Sequence, residues 1–143
     1  MASTREESQI LWSAASSISV SAASNATSDA HTFNASDWSA AIQINADNDG
    51  TPASGDTVAV YILWTTGDIL GDSGSDYDTV EHAQLLCTLD TYATNTPGED
   101  PARKTVPLDN IAALGFKLYA VNNSAGRAIT VRARVVTQRG AVA

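Results

Sequence analysis

A chain of 143 residues, 43% apolar and 17% charged, has the size and composition of one domain able to bury roughly two thirds of its unfolded surface. Its single Cys and single Met exclude a disulfide framework, a cysteine-based zinc site and a haem or iron–sulfur protein. The net charge of −8 is unevenly spread: residues 1–100 carry 15 of the 16 acids and one base, whereas residues 101–143 carry seven bases and one acid.

Residues 5–12 open the chain as a helical turn, a short strand or an arm lying on a neighbour. We therefore expect residues 1–15 to be an arm or short element ahead of one domain, 16–143. The opening MASTREESQILW has no basic region followed by an apolar core, so no secretory leader is expected. SAASSISVSAAS then reads as a strand with Ile18, Val20 and Ala22 inward. In residues 37–45, Trp38, Ala40, Ile42 and Ile44 alternate with Ser39, Ala41, Gln43 and Asn45, the pattern of a half-buried strand. NADNDGTPASGD follows as a turn-rich loop.

Residues 58–64, VAVYILW, form the longest apolar run, far short of the roughly 20 residues that span a bilayer, so no membrane partner is expected. Both faces of this strand are apolar, which places it between layers or under another subunit. GDILGDSGSDYD is a long loop. In residues 81–91, Ala83, Leu85, Cys87 and Leu89 fall on one face, and Cys87 is expected to be a small buried hydrophobe. After the loop TNTPGEDPAR, Pro107 confines a short extended piece to an edge or a strand end. GFKLYAVN, NSAG and RAITVRARVVTQ then make a hairpin with Phe116, Leu118 and Ala120 inward on one arm and Ile129, Val131, Ala133 and Val135 inward on the other. About seven or eight short strands with turn-rich connections predict an all-β, two-layer antiparallel sandwich, jelly-roll or Ig-like.

The residues that carry chemistry elsewhere lack their partners here. GDSGS at 71–75 matches the nucleophile blocks of two hydrolase classes, yet the only histidines are His31 and His82, and a serine without a positioned base is inert. Asp47 and Asp49, and Asp72, Asp76 and Asp78, are hard oxygen ligands on loops, but Thr51 breaks the EF-hand spacing and no Glu closes it. No catalytic residue, cofactor or metal is expected. Trp12, Trp38, Trp64 and the tyrosines are the residue types of a sugar-stacking platform, although Trp38 and Trp64 fall on inward faces. An acidic chain is a poor general ligand for nucleic acid.

The last strand presents Thr130, Arg132, Arg134, Val136 and Gln138 outward, flanked by Arg127 and Arg139. Arginines on a strand face suit geometrically fixed contacts to carboxylates, within the domain, on a partner or on a second copy; they also guard an edge. The candidate contact residues are therefore Arg127, Arg132, Arg134 and Arg139, Arg5 and Trp12 of the N-terminal segment, and Tyr61 of the two-faced strand.

The opening STREESQILWSAASSISVSAAS, the Ser/Thr/Ala/Asn-rich chain after it and the final VRARVV strand resemble the small β-sandwich head decoration (cement) proteins of tailed bacteriophages. The acidic segments 65–77 and 94–103 have no counterpart in that pattern. The resemblance implies a structural virion protein on the outside of the phage head, with the major capsid protein as partner and a homo-oligomer, a trimer first, as its assembly. A tail or baseplate component, or a receptor- or carbohydrate-binding module, is the second reading. An enzyme is the last.

Overall fold

The computed structural model describes residues 3–65, 77–92, 102–108, 111 and 114–140. Among them are ten strands, one 3₁₀ turn at Val80–His82 and no α-helix. The strands are β1 (Thr4–Gln9), β2 (Ile18–Val20), β3 (Asn25–Thr27), β4 (His31–Thr32), β5 (Asp37–Asn48), β6 (Thr57–Trp64), β7 (Gln84–Asp90), β8 (Ala102–Leu108), β9 (Gly115–Asn122) and β10 (Ile129–Arg139). Two or three more strands are present than the seven or eight expected. Strands of two and three residues such as β4 and β3 are too short to show a period.

All pairing is antiparallel, in two sheets. The first has the order β1-β10-β5-β8, with β2 on the same edge of β10 as β1; the second has the order β3-β9-β6-β7, with β4 continuing β3 along β9. Each sheet is thus four strands wide with one edge built from two short pieces. Taking β1/β2 and β3/β4 as single positions, the chain visits the sheets in the order first, second, first, second, second, first, second, first. That is the jelly-roll arrangement, and it decides between the two sandwich topologies. Gly115 lets β4 close on β9, because a Cβ there would stand 2.2 Å from the His31 carbonyl oxygen.

The core is made by the inward residues of the long strands. Ile42, Ile44 and Ala46 of β5 and Ile129, Val131, Ala133 and Val135 of β10 meet Val58, Val60 and Ile62 of β6 and Phe116, Leu118 and Ala120 of β9. Each large aliphatic or aromatic side chain buried here contributes about 1.5–3 kcal/mol. On β6 the outward Ala59 and Leu63 are buried as well, while Tyr61 between them is half-buried, so the outer face of this strand is covered only in part.

Three expectations need correction. Trp38 is half exposed, not inward: a bulge pairs Gln138 with Ser39 and Arg139 with Asp37, leaving Trp38 out of the ladder. Leu85 is 59% exposed because a bulge opposite Val60 and Tyr61 skips Leu86, which separates Leu85 from the buried Cys87 and Leu89. Trp12 is 1% exposed and belongs to the core, so it is no surface contact. The chain enters through β1 and Ile10, then reverses at Ser13–Ala14 between the paired Trp12 and Ala15. Both turn residues have positive φ (49° and 66°), and the Asp29 carboxylate accepts both of their N–H groups.

Trp12→Ala should therefore lower stability by about 3–5 kcal/mol, while Trp38→Ala should stay within about 0.5 kcal/mol of the parent. Urea unfolding followed by far-UV circular dichroism measures both; similar losses for the two would contradict these placements.

Candidate functional site

Arg132 and Arg134 of β10 lie on the outer face of the first sheet, because the alternate positions are taken by the core. The register sets Gln9 of β1, Arg134 of β10, Gln43 of β5 and Thr105 of β8 in one row, and Arg132, Asn45 and Arg103 in the next. Together they line a groove of about 410 Å³ into which three cationic residues, Arg103, Arg132 and Arg134, project from the outer face, and whose lining includes no carboxylate.

Within the upper row the side chains hold one another. Arg134 Nε donates to Gln43 Oε1, Arg134 Nη1 lies 3.3 Å from Glu7 Oε2, and Gln43 Nε2 donates to Thr105 Oγ1 at 3.4 Å. In the lower row Arg132 is exposed and has no hydrogen-bond or ion-pair partner among the described residues. Between it and Arg103, the Asn45 side-chain oxygen is cut off from solvent and has no donor.

The other candidates are dispersed. Arg139 Nε donates to Asp37 Oδ1 at 2.7 Å, and Arg127 Nη1 lies 3.3 Å from the buried Asp56. Asp56 also accepts from the Ala53 N–H and from Asn48 Nδ2, which fixes the β5–β6 loop. Arg5 is exposed, 3.7 Å from Glu7. Tyr61 is on the second sheet, half-buried beside Tyr119 with ring centroids 6.1 Å apart. The structure therefore gathers Arg132 and Arg134 and scatters the rest. It adds Gln9, Gln43, Asn45, Arg103 and Thr105, which sequence reading missed; the alternation of Gln43 and Asn45 on the polar face of β5 was the available signal.

Asp49 takes the hydroxyls of Ser19 and Thr130, and Asp78 the Trp64 N–H. GDSGS, Asp72 and Asp76 lie outside the described residues. Among the described residues no three His, Cys, Asp or Glu side chains stand together as a metal site would require. Cys87 is buried, and burial pushes its thiol above the ordinary range, against a smaller downward pull from Lys104.

No family model and no curated protein matches the chain. Among solved structures, latent PorU from Porphyromonas gingivalis is similar over 97% of this chain at 13% identity and a TM-score of 0.52, and the chain spans 13% of that one. A mutant of CBM29-2, a family 29 carbohydrate-binding module, aligns over 97% of this chain and 94% of its own at 10% identity and a TM-score of 0.44. The CBM22-1 xylan-binding domain from Paenibacillus barcinonensis Xyn10C aligns over 95% and 87% at 11% identity and a TM-score of 0.35. The likeness reaches the β-sandwich and stops there.

Next to the Asp37–Arg139 pair, His31 packs on Phe33 and Phe116 with ring centroids 5.3 and 5.4 Å away. Burial lowers its pKa, Asp37 pulls it back by less, and Arg139 adds to the fall. Burial raises the Asp37 carboxyl, but the hydrogen bonds from Arg139 and the Asn34 N–H outweigh it and leave the group below its ordinary value. Below about pH 6.5 the unfolded chain binds a proton at His31 that the folded chain refuses, so stability falls as the pH drops through that value. Asp37 adds a second loss lower down: its contribution holds above pH 3.8 and fades as the folded carboxyl takes its proton. His31→Gln should narrow the gap in Tm between about pH 7.5 and pH 5.5; an unchanged gap would show that the imidazole does not cause it.

Proposed function

We propose that this chain is a non-catalytic structural protein of a tailed-phage virion, a head decoration protein that attaches to an acidic area on the outer surface of the capsid. The observation that carries the reading is the groove on the first sheet. A chain of net charge −8 keeps carboxylates out of the lining of one strand-built groove and sets three arginines, Arg103, Arg132 and Arg134, on it. Such a field selects an acidic surface as its partner. The resemblance of the opening segment and the last hairpin to cement proteins supplies the setting.

The subunits assemble as a homo-oligomer, a trimer first, through the outer face of the second sheet. There Tyr61, Tyr119 and the exposed Leu85 share one row across β9, β6 and β7. Light scattering at micromolar concentration and on the capsid tests this, and a monomer in both settings would remove it.

A second reading, a saccharide-binding module, is favoured by the amides and hydroxyl of the same groove, since Gln9, Gln43, Asn45 and Thr105 are the groups that bind sugar hydroxyls. Co-sedimentation with undecorated capsids separates the two. Arg132 has no partner among the described residues, so Arg132→Glu should fold as the parent does and bind capsids at least about tenfold more weakly, more so at low salt. Full capsid binding by the folded variant would overturn the groove as the contact. Retention on a glycan array by the parent, lost in Arg132→Glu, would establish the second reading instead.

A further inference from the structure

We propose that the groove of the first sheet receives an extended acidic polypeptide segment, with one of its side-chain carboxylates on Arg132 and one of its backbone N–H groups on the Asn45 side-chain oxygen. This deepens the attachment reading and rests on it.

Two unmet groups define the site. Among the described residues Arg132 is exposed without a partner, whereas Arg127, Arg134 and Arg139 each meet an acid. Asn45 holds a buried acceptor with no donor. Their positions are fixed by pairing, since Arg132, Asn45 and Arg103 stand in register on three adjacent strands. Strands lie about 4.8 Å apart, so two arginine-bearing strands flank the orphan acceptor at roughly 10 Å from each other. A free anion would satisfy the guanidinium and leave the amide oxygen unmet. A ligand that fits must bring a carboxylate and an N–H or O–H donor together.

An extended peptide does so with a matching repeat. Its same-side side chains recur about every 6.8 Å, as do Arg132 and Arg134 along β10. Alternate acidic residues thereby reach both guanidiniums, and Arg134 keeps Nη2 free while Nε and Nη1 hold Gln43 and Glu7. Glu7 holds Arg134 at 3.3 Å, but the residues lining the groove around Arg132 include no carboxylate to repel such a segment.

The test uses a fluorescein-labelled peptide, Glu-Thr-Glu-Thr-Glu-Thr-Glu, in anisotropy titrations at about 50 mM salt. The whole chain should bind it saturably, and the Lys-for-Glu peptide should not bind. Arg132→Gln should weaken binding about tenfold or more. Asn45→Asp, which sets a fixed carboxylate between Arg132 and Arg103, should abolish it while melting at or above the parent temperature. Lys117→Gln, on the opposite sheet, should change little. Equal peptide binding by the parent and Arg132→Gln, or no binding at all, would overturn the proposal. So would an oligogalacturonate that binds in the groove where the peptide does not. The same variants are then sedimented with capsids. If peptide binding is lost while capsid binding persists, the groove stands as an acidic-segment site and the capsid is not its partner; if both are lost, the two readings stand together.

Discussion

Alternation along β10 sets the two sides of this molecule at once. Ile129, Val131, Ala133 and Val135 must face the second sheet to be buried, and the period of two then forces Thr130, Arg132, Arg134 and Val136 onto the opposite side. A slip of one residue against β5 would drive two guanidiniums into an apolar interior, where an unpaired charge is prohibitively costly. The register that protects the core is therefore the same register that presents the cationic groove. Neighbouring strands only complete what β10 imposes: β5 supplies the amides, β8 the second arginine, and β1 the carboxylate that steadies Arg134.

The uneven charge of the chain makes sense in the same frame. Acids of the first hundred residues and bases of the last third are far apart in sequence but adjacent in the sandwich, so Arg127 meets Asp56, Arg134 meets Glu7, and Arg139 meets Asp37. The Glu7 pair is exposed on both sides and contributes little to stability. Asp56 and Asp37 are shielded from solvent, and their partners satisfy carboxylates that would otherwise be buried unpaired. What distinguishes Arg132 is that this neutralisation passes it by.

The long strands were legible because their alternation is long enough to count. Ile42, Ile44, Phe116, Leu118, Val131 and Val135 all face the core as their spacing implied. The errors came where one inserted residue shifts every later side chain, at Trp38 and at Leu85. No local composition signals such a bulge. Trp12 was misplaced for a different reason: its turn uses Ser13 and Ala14, residues that rarely adopt positive φ, and is held by Asp29, fifteen or more positions away. Of the groove, the arginine ladder was visible and its walls were not, because Asn45, Arg103 and Arg132 become neighbours only through strand pairing.

The place of β10 in the chain has a consequence for biosynthesis. The last of these ten strands to leave the ribosome sits in the interior of the first sheet, between β1/β2 and β5. Until it emerges, β5 has one unpaired edge, β1 and β2 have no sheet to join, and the inner face of β6 and β9 has only part of its covering. The first sheet cannot form piecemeal during translation, and its closure joins residues more than 120 positions apart, which makes for slow folding. A sandwich built this way stays aggregation-prone until β10 is out and closes only then.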